Sequence, residues 1–226
     1  MWCMEFRLEE IVGFIKGDLI MMRKIGLLHF GILILTFFLM SLGAVAQDAD
    51  TLVLSCQNEP GTLDPHHTNA VMEYKAMGLM YDTLIFTHPE TMEPVPGLAE
   101  SWEISEDGLE ATFKLKEGVK FHDGTPLTAE DCKYTFERAK DPATGATYIR
   151  PVVENLEKVE VIDELTFKMV YNKPLVTLLH YLQMPYTAPI NRKSVEAQGD
   201  NFDSNPIGAG TGPYIFESWL PAQEIN

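Results

Sequence analysis

The chain has 226 residues, 46% of them apolar and 22% charged, a balance ordinary for a globular protein and unlike that of a disordered polymer. Against 17 lysines and arginines stand 33 aspartates and glutamates, a formal net charge of −16. Such a surface repels phosphate backbones and anionic headgroups, which excludes nucleic-acid binding.

Near the front, Met22-Arg23-Lys24 precedes an apolar run from Ile25 to Leu42 that ends in Ala44-Val45-Ala46. A charged start, an apolar middle and small residues at the end describe a cleavable export signal over residues 22–46, cut after Ala46. A transmembrane anchor is the alternative, because the run approaches the roughly 20 residues that span a bilayer. Residues 1–21 are mixed and carry Glu5, Glu9 and Glu10, so they read as an extension ahead of the true initiator, Met21 or Met22. Gln47, not cysteine, follows the small-residue site, so no lipid anchor is expected. Residues 1–46 hold equal numbers of acidic and basic side chains, which leaves the whole net charge on the remainder. Cys56 and Cys132 are expected as separate buried thiols, since each lies in an apolar pattern, although an exported compartment would let them pair.

After residue 46 the elements follow in order. Thr51 to Cys56 is rich in strand formers and breaks at Glu59-Pro60-Gly61, a first core strand entering a loop. Between Ala70 and Met80, the residues Met72, Ala76, Leu79 and Met80 share one helical face, and the methionines read as core filling. Trp102 and Ile104 alternate before Asp107-Gly108, and Ala111, Phe113 and Leu115 alternate after it, which predicts a hairpin. Val119 and Phe121 continue as a short strand up to Asp123-Gly124. Thr128 then opens a helix with Asp131 in its first turn, Cys132, Phe136 and Ala139 form its buried face, and Asp141-Pro142 ends it. A second hairpin runs from Lys158 to Tyr171 around Asp163-Glu164.

Three ordered segments carry a resemblance. They are Pro96 to Trp102, then Phe113-Lys114-Leu115, then Lys120-Phe121-His122-Asp123-Gly124-Thr125-Pro126-Leu127-Thr128-Ala129-Glu130-Asp131. Upstream lies Glu59-Pro60-Gly61-Thr62-Leu63-Asp64-Pro65; downstream lie Asn205-Pro206-Ile207-Gly208 and Gly210-Thr211-Gly212-Pro213-Tyr214. Together they resemble the extracellular solute-binding proteins of bacterial ABC importers, the peptide- and nickel-binding family. The extra Gly208-Ala209 ahead of Gly210 is expected to alter the glycine-rich loop.

The resemblance implies an α/β fold: a periplasmic-binding-protein type II-like first lobe carrying an inserted mixed α/β subdomain, with the second lobe missing. Residues 47–73 and 187–226 would form an incomplete first-lobe core and residues 74–186 the inserted subdomain. It further implies a monomeric periplasmic component that captures peptides, or another small solute, between two hinged lobes and delivers them to an inner-membrane permease complex. Nickel chelates, haem and oligosaccharides remain alternative solutes, and a partial or nonfunctional fragment of such a protein remains an alternative reading of the whole.

By the same resemblance Asn58, Glu59 and Thr62, in the loop after the first strand, line the cleft, with Tyr186, Thr211, Gly212 and Tyr214 as further candidates. Gly210, Gly212 and Pro213 could equally shape a turn. No cofactor, metal or catalytic group is expected. Adjacent His66 and His67 lack a helical i, i+4 partner, His122-Asp123-Gly124 reads as a turn, and neither a G-x-S-x-G elbow nor a phosphate loop is present.

Overall fold

The computed structural model describes residues 54, 58–68 and 71–226, so the expected export signal, first strand and Cys56 lie outside the described residues. Helix α1 (Val71–Met80) forms where the apolar periodicity placed it, but its buried face differs. Met80 is buried as expected, together with Met77 and Glu73, whereas Ala76 and Leu79 are only half-buried because the second core packs on the Met77 side. It is followed by a short hairpin, β1 (Ile85–Thr87) and β2 (Pro94–Pro96), whose three-residue strands are too brief to show an alternation.

The main layer is one antiparallel sheet of four strands, β3 (Ala99–Ile104), β4 (Glu110–Leu115), β5 (Leu156–Val161) and β6 (Thr166–Tyr171), in the order β3-β4-β6-β5. Period-two alternation decides its faces. Ala111, Phe113 and Leu115 of β4 and Phe167, Met169 and Tyr171 of β6 point into the core, while Thr112, Lys114 and Lys168 take the other face. Phe113 and Phe167 stack at 5.3 Å between ring centroids. The outer face carries Lys168–Glu110 at 3.0 Å and Lys114–Glu100 at 3.2 Å, exposed pairs that add little stability. Gly108 takes a φ of 70° in the β3–β4 turn, a conformation that favours glycine.

Helix α2 (Ala129–Lys140) covers the core face of the sheet. The N–H and the hydroxyl of Thr128 both donate to the Asp131 carboxylate, at 3.0 and 2.7 Å, which fixes the start of the helix. Cys132, Phe136 and Ala139 are buried as the spacing predicts, and Cys132 is a free thiol. Two of the expected strand positions differ. Ile104 is exposed because β3 is an edge strand, and Val119 to Phe121 makes only the isolated bridge Lys120↔Pro126 although Phe121 is buried. Short helices α3 (Arg150–Val153), α4 (Leu178–Tyr181) and α5 (Arg192–Gln198), 3-10 turns at Pro142–Thr144, Pro185–Thr187 and Gly199–Asn201, and a final hairpin, β7 (Trp219–Leu220) with β8 (Glu224–Ile225), complete the described elements.

Two cores result within the compact unit Cys56–Asn226. The first fills the space between the sheet and α2 and draws its buried residues from Leu84 to Tyr186. The second gathers Leu63, Met77, Met80 and Tyr81 with Ala188, Ile190, Phe202, Ala209 and Phe216. Thr135 of α2 links them, because its hydroxyl donates to the Asp131 carbonyl and accepts the N–H of Ile190 at 3.0 Å. No helix among the described residues is long and apolar enough to cross a membrane.

Candidate functional site

The glycine-rich loop packs directly on the C-terminal end of α1. The N–H of Gly212 donates to the Met80 carbonyl at 2.9 Å, and that of Tyr214 to the Leu79 carbonyl at 3.0 Å. A Cβ at Gly210 or Gly212 would collide with the Met80 backbone, so two glycines are required by the close approach of two chain segments. The loop is pinned from the other side by His122, whose backbone N–H donates to Gly210 and whose Nε2 donates to the Gly212 carbonyl at 2.8 Å. Gly208 and Ala209, the expected insertion, are held as well. The Ala209 carbonyl accepts from Asn191, and Gly208 adopts a φ of 77° against Asp123.

Thr211 and Tyr214 remain on the outside of this arrangement. Thr211 Oγ1 accepts the N–H of Asp82 at 3.4 Å, and the Tyr214 side chain is exposed. Asp82, which sequence reading passed over, stands beside them half-buried, and its carboxylate accepts no hydrogen bond among the described residues. Burial raises its pKa, while the His122 and Lys116 charges pull the other way. Nothing in its local sequence distinguishes Asp82 from a turn aspartate; its environment comes from the loop packed 129 residues later.

The other expected residues occupy two further neighbourhoods. Asn58 and Glu59 are exposed, and Glu59 Oε1 accepts from Trp219 Nε1 at 2.7 Å and from the Ala222 N–H at 2.8 Å, so this carboxylate braces the β7–β8 hairpin. Beside Trp219 lies an open hollow of about 430 Å³ lined by Ser204, Asn205, Glu217, Ser218, Trp219 and Pro221, none of them an expected contact. Tyr186 is buried against Tyr74 and Tyr148, with ring centroids 5.8 and 6.1 Å away, and burial pushes its pKa up to about 12.

Thr62 belongs to a buried polar network. Its hydroxyl donates to Asp203 Oδ1 at 2.5 Å and accepts the Asp64 N–H at 2.9 Å. Arg138 of α2 grips Asp64 with both terminal nitrogens, Nη2 to Oδ2 at 2.6 Å and Nη1 to Oδ1 at 3.1 Å, and its guanidinium lies 5.6 Å over the Phe202 ring. Desolvation opposes ionisation of Asp64, but the Arg138 guanidinium and the His66 backbone bond outweigh it and hold the carboxyl below its ordinary value. His66 Nδ1 accepts from Arg138 Nη1 at 2.6 Å, and burial drives its pKa down to about 3, so the imidazole is neutral. The two histidines thus part company: His66 is buried toward Arg138, whereas His67 reaches Asp203.

The described residues thus form a mixed α/β lobe in which the Thr211 hydroxyl and the Asp82 carboxylate stand beside a glycine loop. Residues 93–226 match the profile of the bacterial extracellular solute-binding proteins, family 5 (middle region), and the chain belongs to that family. It is 34% identical over 171 residues to the glutathione-binding protein GsiB of Escherichia coli O6:K15:H31, an alignment covering 76% of this chain and 33% of that protein. It is 32% identical over 203 residues to di/tripeptide-binding protein 4 of Pseudomonas aeruginosa, covering 81% and 38% respectively. Among solved structures it superposes on the PBP AgaA of A. tumefaciens R10, in complex with agropinic acid, with a TM-score of 0.68 and 32% identity, over 74% of this chain and 33% of that one. The chain spans about a third of the length of the curated relatives it matches. The fold is the one the sequence resemblance implied.

Proposed function

We propose that this protein is the substrate-binding component of an ABC importer, which captures short peptides in the periplasm as a monomer and hands them to an inner-membrane permease complex. Kinship carries the reading, since relatives 34% and 32% identical are a glutathione-binding and a di/tripeptide-binding protein. Export would proceed through a signal over residues 22–46. We divide the chain into a first-lobe core (47–73 and 187–226) and an inserted subdomain (74–186). The two separate cores support such a division but favour a boundary between Tyr81 and Leu84, because Met77, Met80 and Tyr81 pack in the second core.

Within this reading Thr211, Gly212 and Tyr214 form the ligand-facing rim, and Asp82 supplies it with a carboxylate that accepts no bond among the described residues. Asn58 is exposed, whereas Glu59, Thr62 and Tyr186 are committed to internal contacts and act by shaping the surface around the ligand. A ligand bound only by the folded state raises the melting temperature, so the test is a thermal-shift and calorimetric titration of residues 47–226 with glutathione, dipeptides and tripeptides. A saturable shift with one of these, weakened in Tyr214→Ala, is the expected result. A cooperative melt that no peptide moves would refute peptide capture by this chain.

A further inference from the structure

His67 and Asp203 stand on loops 136 residues apart in sequence, yet His67 Nδ1 lies 2.7 Å from Asp203 Oδ1 and 3.6 Å from Asp64 Oδ2. One ligand atom from each of the three residues falls within 4.8 Å of the others. A tetrahedral ion with bonds of about 2.1 Å needs ligand atoms about 3.4 Å apart, and these spacings bracket that edge. We propose that Asp64, His67 and Asp203 form a binding site for a divalent transition-metal ion of the zinc class, separate from the solute rim.

The chemistry of the donor set supports it. One imidazole nitrogen and two carboxylate oxygens suit zinc and its neighbours in the first transition row. The His67 and Asp203 side chains are 34% and 44% exposed, so the ion can enter and complete its shell with water. Asp64 is almost wholly buried and is oriented by the Arg138 fork, in the way outer partners orient metal-binding carboxylates. The same guanidinium offsets one negative charge, which makes the site weaker than closed structural zinc sites. Binding takes the place of the hydrogen bond between His67 Nδ1 and Asp203 Oδ1 and joins the loop at residues 62–68 to the loop at Asp203 through the ion. The inference stands whether or not the protein carries peptides.

The test uses the full chain, stripped with chelator and titrated with zinc chloride by calorimetry, and with cobalt chloride by visible absorption. One ion should bind per chain, with a rise in melting temperature of roughly 5 to 10 °C at a hundredfold excess over Kd. His67→Ala should abolish the heat and the cobalt spectrum, Asp203→Asn should weaken binding at least tenfold, and His88→Ala, at a surface position elsewhere, should leave it unchanged. His67→Gln serves if the alanine variant melts non-cooperatively in chelator. Absence of binding to the parent chain, or titrations of the His67 and Asp203 variants that match the parent, would overturn the proposal.

Discussion

Replacing Arg138 by methionine tests the polar network most directly. The Asp64 side chain is 1% exposed, and its two oxygens accept both Arg138 bonds while Oδ1 also accepts the His66 N–H. Breaking a buried ion pair by removing one partner costs about 3 to 5 kcal/mol, because the remaining charge has neither water nor a counter-ion. Asp64 keeps its backbone donor here, which favours the lower figure, about 3 kcal/mol, a large share of a total stability of about 5 to 15 kcal/mol. Urea melts in the presence of chelator read the loss directly. The variant with both Arg138→Met and Asp64→Asn should recover much of it, since the stranded charge is then gone. A loss below about 1 kcal/mol for Arg138→Met, or no recovery in the double variant, would show that Asp64 finds compensation elsewhere and would refute the reasoning.

Two further outcomes follow from local geometry. Asp131→Ala removes the acceptor for both Thr128 donors and the negative charge in the first turn of α2, and should cost about 1 kcal/mol in a thermal melt, with Asp131→Asn losing less. For Asp82 burial raises the folded pKa above its ordinary value of 3.8, so its contribution is most favourable below that value and is lost as pH rises through the folded one. Asp82→Asn should therefore melt higher than the parent at about pH 7 and no higher at about pH 3, while weakening solute binding, the pattern of a group kept for function against stability. Equal melting shifts at both values would remove the electrostatic argument.

The parts of the fold governed by local periodicity were legible in the sequence. Phe113 and Phe167 sit in clean alternations, and Thr128 with Asp131 spells a helix start, so β4, β6 and α2 were expected close to where they lie. The β1–β2 hairpin and helices α3 and α4 were not, because three or four residues cannot display a period and tertiary packing decides their shape. The site divides in the same way. Glycines at 210 and 212 read as turn-formers, but it is close approach that requires them, and their partner, the Met80 carbonyl, lies 130 residues before Gly210. Glu59 looked free for a ligand until Trp219 and Ala222 claimed its oxygen. Neighbouring His66 and His67 gave no metal pattern, since their acidic and basic partners come from Arg138 and Asp203.

The division into two cores has a consequence for synthesis. The sheet core is drawn from the unbroken stretch between Leu84 and Tyr186, whereas the second core joins residues on both sides of that stretch. During translation the sheet and α2 can pack once residues up to Tyr186 have left the ribosome, but the second core must wait for Phe202, Ala209 and Phe216. Until then Leu63 and the α1 residues Met77 and Met80 lack the apolar partners that the last segment brings, tethered to a layer that can already be folded. Closing that long loop costs only slowly growing entropy, and the finished sheet core brings its two ends nearer, so the early layer acts as a template on which the last segment seals the chain.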